Sequence, residues 1–125
     1  MKFDLQAFYK FCAELSIETK EHGLKKMGNL LGTQTYVMQE IAKGLEEDKH
    51  FFVILKGRQL GITTISLALD LYWHFIHPGL QGTLTTDTEE NRDMFRQTLA
   101  MYMSGLPKQY KIPEITHNRN SLTLK

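Results

Sequence analysis

A short segment in the middle of the chain combines an apolar run with glycines, cations and threonines. It reads Phe51-Phe52-Val53-Ile54-Leu55-Lys56-Gly57-Arg58-Gln59-Leu60-Gly61-Ile62-Thr63-Thr64. Backbone N–H groups in a glycine turn that opens a helix point toward a common centre, and the helix dipole favours an anion there. Gly61 would let the backbone approach a phosphate closely, and the Thr63 hydroxyl would stand where it can ligate Mg²⁺. The segment therefore favours a phosphate-binding turn.

This segment departs from the common phosphate-loop pattern at two positions. Lys56 stands where that pattern has its first glycine, and Ile62 stands where it has its lysine. Lys56 has a long flexible stem, and we expect it to reach the phosphates from the other side of the turn. Arg58 adds a cation that does not lose its proton at neutral pH. The alternative is a tight strand-to-helix turn in which the glycines serve only the backbone and the cations are solvated.

The pattern around this segment predicts the elements that would position it. Phe51 to Leu55 is a continuous apolar run, typical of a strand buried on both faces in a parallel sheet. A helix that is apolar nearly all round is predicted from Thr63 to Phe75. The other predicted elements are helices from residue 3 to about residue 20, from Thr35 to Gly44 and from Glu89 to Met103 with Thr88 as N-cap, and strands at Thr83–Thr86, near Ile115 and at Ser121–Leu124.

The order of these elements predicts the fold class. Strands that alternate with helices of this length indicate an α/β fold, in this case a P-loop NTPase-like parallel sheet with flanking helices and right-handed crossovers. A sheet of two or three strands is thin for such a fold. We therefore expect an incomplete core, preceded by N-terminal helices.

The bulk composition is that of an ordinary globular protein. Lys and Arg number 15 and Asp and Glu 14, so the formal charge is +1 and lacks the basic excess of a domain that grips DNA. Cys12 is the single cysteine, which excludes an internal disulfide, and its apolar neighbours predict a buried thiol. No apolar stretch is long enough for a membrane span, and the N-terminus does not resemble a signal peptide.

Three segments resemble a known family. Gly57-Arg58-Gln59-Leu60-Gly61-Ile62-Thr63-Thr64 is similar to the variant Walker A loop of phage terminase large subunits, the ATPases that package DNA. In that loop an Arg-Gln pair precedes the glycine, and some members carry the lysine at the start, as Lys56 does here. Residues 32–41 resemble the glutamine motif of the same family, and residues 82–91 resemble the next strand and helix of its ATPase domain. The resemblance covers roughly residues 30 to 124.

The resemblance implies ATP and Mg²⁺ as cofactors and assigns roles to single residues. Gln34 would recognise adenine, with Gln39 as the lesser candidate. Arg58 would act as a finger on the γ-phosphate, where a cation stabilises charge that develops in the transition state. Thr63 would ligate Mg²⁺. The remaining nucleotide-binding residues would be Lys56, Gly57, Gln59, Gly61, Ile62 and Thr64.

The resemblance also implies a setting for the whole protein. Residues 1–29 would be an N-terminal helical segment, and residues 30–125 the front part of the ATPase domain. Asp87 is followed by Thr88 and not by an acid, so the acidic pair needed for turnover, and the endonuclease of the family, are expected beyond Lys125. Double-stranded DNA, a portal protein, a terminase small subunit and further copies of the chain would be the partners, in the cytoplasm of an infected bacterium.

Two other readings of the segment stay open. Helicase-like ATPases also join an upstream glutamine to a phosphate loop, although the Arg-Gln pair before Gly61 favours the packaging motor. Ile62 and the missing acidic pair favour instead a degenerate nucleotide-binding or structural domain without turnover. Binding of Mg-ATP without hydrolysis, even by a longer chain that extends past Lys125, would favour this last reading.

Overall fold

The computed structural model describes residues 3–19, 23–57, 61–110, 114–117 and 122–124. Helices make up most of these residues, and the strands form two small antiparallel pairs. The elements in chain order are α1 (Leu5–Ala13), β1 (Ser16–Thr19), β2 (Gly23–Lys26), α2 (Gly32–Glu46), α3 (Ile62–Ile76), α4 (Glu89–Ser104), a 3-10 turn (Lys108–Tyr110), β3 (Glu114–His117) and β4 (Leu122–Leu124).

The predicted parallel sheet is wrong. Neither Phe51–Leu55 nor Thr83–Thr86 forms a strand, and neither makes a backbone hydrogen bond with another described residue. The side chains of Phe51, Val53 and Leu55 are 97%, 99% and 101% exposed, so they are not buried under helices. Apolar and β-branched residues favour a strand only where a partner pairs with the backbone and covers the side chains. No such partner stands beside either segment in the described part of the chain.

The strands that do form are local hairpins. β1 pairs with β2 antiparallel, from Ser16 opposite Lys26 to Thr19 opposite Gly23. This hairpin replaces the second half of the helix predicted to about residue 20, because α1 ends at Ala13. The strands predicted near Ile115 and Leu124 are present as β3 and β4, but they pair antiparallel with each other.

The three longer helices confirm their predictions with small changes at the ends. α2 extends the predicted Thr35–Gly44 segment at both ends, and α3 and α4 each differ from the prediction by at most one residue per end. Thr88 caps α4 as predicted, since its hydroxyl accepts a hydrogen bond from the Asn91 amide at 3.1 Å. Glu89 and Glu90 lie in the first turn of that helix, where a negative charge complements the helix dipole.

Aromatic side chains of α1 and α3 build the centre of the core. Phe11 is fully buried, and its ring centroid lies 5.1 Å from that of Tyr72 and 5.3 Å from that of Tyr110. Phe8 is also fully buried and packs 5.3 Å from Tyr72. Because α3 is apolar nearly all round, it buries its faces against the other helices where the prediction had placed a sheet. Described residues from both sides of position 30, such as Phe11 and Tyr72, thus contribute to one core.

Cys12 confirms the predicted buried thiol. Its side chain is fully buried in α1, and burial raises the pKa of the thiol to about 12. The thiolate is the nucleophilic form of cysteine, so this residue is chemically inert at neutral pH.

Lys26 fastens the first hairpin to the ends of two helices. Its ammonium donates hydrogen bonds to the Glu14 carbonyl at 2.9 Å and to the Gly105 carbonyl at 2.6 Å. These carbonyls follow α1 and α4, where the final C=O groups of a helix have no partner within it and the dipole is negative.

None of the helices in the described residues has the length and apolar character needed to cross a membrane.

Candidate functional site

The first turn of α3 offers backbone donors that no side chain of the described residues caps. Gly61 precedes the helix with φ +73° and ψ 12°, a left-handed conformation that glycine adopts without steric cost. Its carbonyl accepts the first helical hydrogen bond, from the Ile65 amide at 3.2 Å. The amides of Ile62, Thr63 and Thr64 have no hydrogen-bond partner among the described residues. Donors of this kind at a helix N-terminus can bind an anion.

Gln34 joins α2 to this turn. Its side-chain nitrogen Nε2 donates to the Gly61 carbonyl at 2.9 Å, and its oxygen Oε1 accepts from the Leu31 amide at 2.9 Å. The residue is only 5% exposed, so both ends of the amide are satisfied in a buried place. A β-carbon added to Gly61 would lie 2.6 Å from the same Nε2 atom. The structure therefore brings together two residues that were predicted separately, 27 positions apart.

Tyr102 supports the turn from the side of α4. Its hydroxyl donates to the Thr64 carbonyl at 3.3 Å, and the side chain is 1% exposed. Burial raises the pKa of this hydroxyl to about 12, so it stays a donor throughout the neutral range. The sequence analysis did not single out Tyr102. The available signal was its place three residues after Leu99, on the apolar face of a predicted helix.

The predicted cations are not assembled around this turn. Lys56 is exposed, and its ammonium lies 3.4 Å from the carbonyl of the neighbouring Gly57. In the described part of the chain no hydrogen bond or ion pair joins Lys56 to the turn. Arg58 and Gln59 lie outside the described residues.

The remaining predicted residues differ in what they offer a ligand. Ile62 is 4% exposed, so its side chain packs inward and only its backbone amide is available. Thr63 is exposed, with its hydroxyl at the surface of the first turn, and Thr64 is half-buried. Within the residues that the structure describes, no cluster of His, Cys, Asp or Glu could hold a metal ion. Thr63 fits the part of a single Mg²⁺ ligand, because Mg²⁺ commonly keeps several waters and takes substrate phosphates as further ligands.

Comparisons of this chain with protein-family models, with curated proteins and with solved structures find no match. The resemblance to terminase large subunits therefore rests on the three segments quoted above. Any statement of function has to come from those residues and from the geometry of the turn.

Proposed function

We propose that this chain binds Mg-ATP at the first turn of α3, as the ATP-binding part of a viral motor that drives double-stranded DNA into a capsid. The observation that carries the proposal is the hydrogen bond from Gln34 to Gly61. It joins the glutamine segment and the glycine segment of the resemblance into one place. The left-handed glycine and the uncapped amides after it support a phosphate ligand there.

Each residue has a definite task in this proposal. The amides of Ile62, Thr63 and Thr64 bind phosphate oxygens, and the Thr63 hydroxyl takes one position on Mg²⁺. Lys56 neutralises phosphate charge after its side chain swings toward the turn. Arg58 would stabilise the charge that develops on the γ-phosphate during hydrolysis, for which the acidic pair expected beyond Lys125 would also be needed.

The proposal also covers the partners and the setting. A formal charge of +1 gives the chain little grip on DNA, so contact with DNA is assigned to other parts of the motor. The double-stranded DNA would be held through the rest of the full-length protein, and the portal protein, the terminase small subunit and further copies of the chain would be its partners. The cytoplasm of the infected bacterium would be the site of action.

Replacement of Lys56 by alanine should weaken Mg-ATP binding by about tenfold, because a charge-assisted hydrogen bond to phosphate is lost. Isothermal titration calorimetry on the two chains measures this change. Lys49→Ala is the matched control, because this substitution also removes one positive charge from an exposed lysine. The Lys49 ammonium pairs with the Glu47 carboxylate at 2.8 Å.

Two outcomes would count against this account. If the Lys56→Ala and Lys49→Ala chains bind Mg-ATP with equal affinity, Lys56 is not part of the binding site. Failure of the unaltered chain to bind Mg-ATP at millimolar concentration would refute ATP binding and favour a structural domain.

A further inference from the structure

We infer that Gln34 is a positioning residue that orients the phosphate-binding turn, and that it does not read the base of a nucleotide. This inference rests on the proposed function, because it concerns the same turn. It departs from the adenine-reading role that the resemblance implies for this residue.

The surroundings of Gln34 bury its side-chain amide away from any base at the surface. Oε1 accepts from Leu31 and Nε2 donates to Gly61, each at 2.9 Å, and the residue is 5% exposed. Reading an adenine edge requires an amide that both donates to the base and accepts from it. The two backbone hydrogen bonds use one of its two donors and one of its two acceptor positions, but at 5% exposure the side chain would have to leave its buried place to reach a base.

The hydrogen bond from Gln34 to the Gly61 carbonyl also fixes the direction of the next backbone donor, the Ile62 amide. The Gly61 carbonyl and the Ile62 amide belong to one planar peptide unit, so a fixed direction of the C=O fixes the opposite direction of the N–H. Two donors hold that carbonyl, the Ile65 amide at 3.2 Å and the Gln34 side chain at 2.9 Å. Gln34 thereby aims the Ile62 amide, the first uncapped donor of the turn, outward from α3.

Gly61 itself is part of this arrangement. Its left-handed φ of +73° sets the peptide plane, and the absence of a side chain leaves room for the Gln34 amide at the place where a β-carbon would stand. The glutamine and the glycine therefore act as a pair. Loss of either partner should change the direction of the same peptide unit.

This role predicts which ligands Gln34 affects. A residue that aims a phosphate-binding amide should influence every ligand with the same phosphate chain, whatever its base. A residue that reads adenine should influence ATP alone. Mg-ATP, Mg-GTP and magnesium tripolyphosphate share the phosphate chain and differ in the base, so they separate the two roles.

The test uses two substitutions of Gln34 and one control on another helix. Gln34→Glu keeps an acceptor for the Leu31 amide but removes the donor to Gly61, and Gln34→Met removes both without adding charge. Gln97→Glu is the control, since Gln97 is an exposed glutamine of α4 and the substitution adds the same charge. Calorimetry gives the Kd of each chain for the three ligands, and thermal unfolding shows that each chain is folded at the temperature used.

We expect both Gln34 variants to weaken the binding of all three ligands by a common factor of about five to ten, while Gln97→Glu changes none of the Kd values by more than about twofold. A loss confined to Mg-ATP would overturn the inference in favour of base reading. A lower unfolding temperature with unchanged Kd values would also overturn it, since Gln34 would then serve only stability. If the unaltered chain binds none of the ligands, the proposed function fails and the inference falls with it.

Discussion

Replacement of Phe11 by alanine should lower the free energy of unfolding by about 3 to 5 kcal/mol, the usual cost of removing a large core side chain. Phe11 is fully buried and contacts rings from α3 and from the 3-10 turn, so few neighbours can move into the space it leaves. Native domains are stable by only about 5 to 15 kcal/mol, so this single change should remove a large part of the stability. Urea denaturation followed by circular dichroism measures the difference.

Phe51→Ala is the matched control for this experiment. Phe51 is 97% exposed, and substitution of an exposed side chain should change the free energy of unfolding by no more than about 0.5 kcal/mol. A strand buried in a parallel sheet would instead make the two phenylalanines similarly costly to remove. Equal losses for Phe11→Ala and Phe51→Ala would therefore contradict the described fold.

Replacement of Gly61 by alanine should lower the free energy of unfolding by about 2 to 4 kcal/mol. Part of this cost is the left-handed backbone at φ +73°, which an L-residue adopts with strain. The rest comes from the Gln34 amide, since the new β-carbon would lie 2.6 Å from Nε2 and break the hydrogen bond to the Gly61 carbonyl. Chemical denaturation of the variant and of the unaltered chain gives the value.

Gly28→Ala separates the two parts of that cost. Gly28 also has a left-handed φ, +67°, but an added β-carbon there would have nothing within 4 Å. Its substitution should therefore cost only the backbone strain, about 1 to 2 kcal/mol. Equal losses at Gly28 and Gly61 would show that the Gln34 contact adds nothing to the stability.

The helices could be predicted from the sequence because their signals are local. In α4 the spacing of apolar residues, the Thr88 cap and the acids of the first turn all lie within the element itself. The end of α1 could not be predicted, because it depends on the pairing of Ser16–Thr19 with Gly23–Lys26. A helical pattern that runs from residue 3 to about residue 20 contains no sign of that hairpin.

The predictions of strands at Phe51–Leu55 and Thr83–Thr86 failed for a non-local reason. The composition of Phe51–Leu55 is that of a buried strand, but a strand forms only where another strand lies beside it. The apolar surface of α3 that was expected to cover a sheet is taken up by α1, α2 and α4. The composition of Phe51–Leu55 is suited to a buried strand, but it does not show whether a second strand lies beside the segment.

The candidate site was predicted in part. Gly61 was singled out by the glycine turn and Gln34 by the resemblance, yet their mutual hydrogen bond could not be predicted from the sequence, since it depends on how α2 packs against α3. Tyr102 was missed because its contact with Thr64 spans 38 positions. The roles of Arg58 and Gln59 stay predictions, because both residues lie outside the described part of the chain.

The most direct test of the central claim is a titration of the ¹⁵N-labelled chain with Mg-ATP, followed through its backbone amide resonances. Binding at the first turn of α3 predicts saturable shifts that are largest for Gly61, Ile62, Thr63 and Thr64, with the side-chain amide of Gln34 shifting in parallel. No shift at millimolar nucleotide, or shifts that fall mainly outside this turn, would contradict the claim that this turn binds the phosphates.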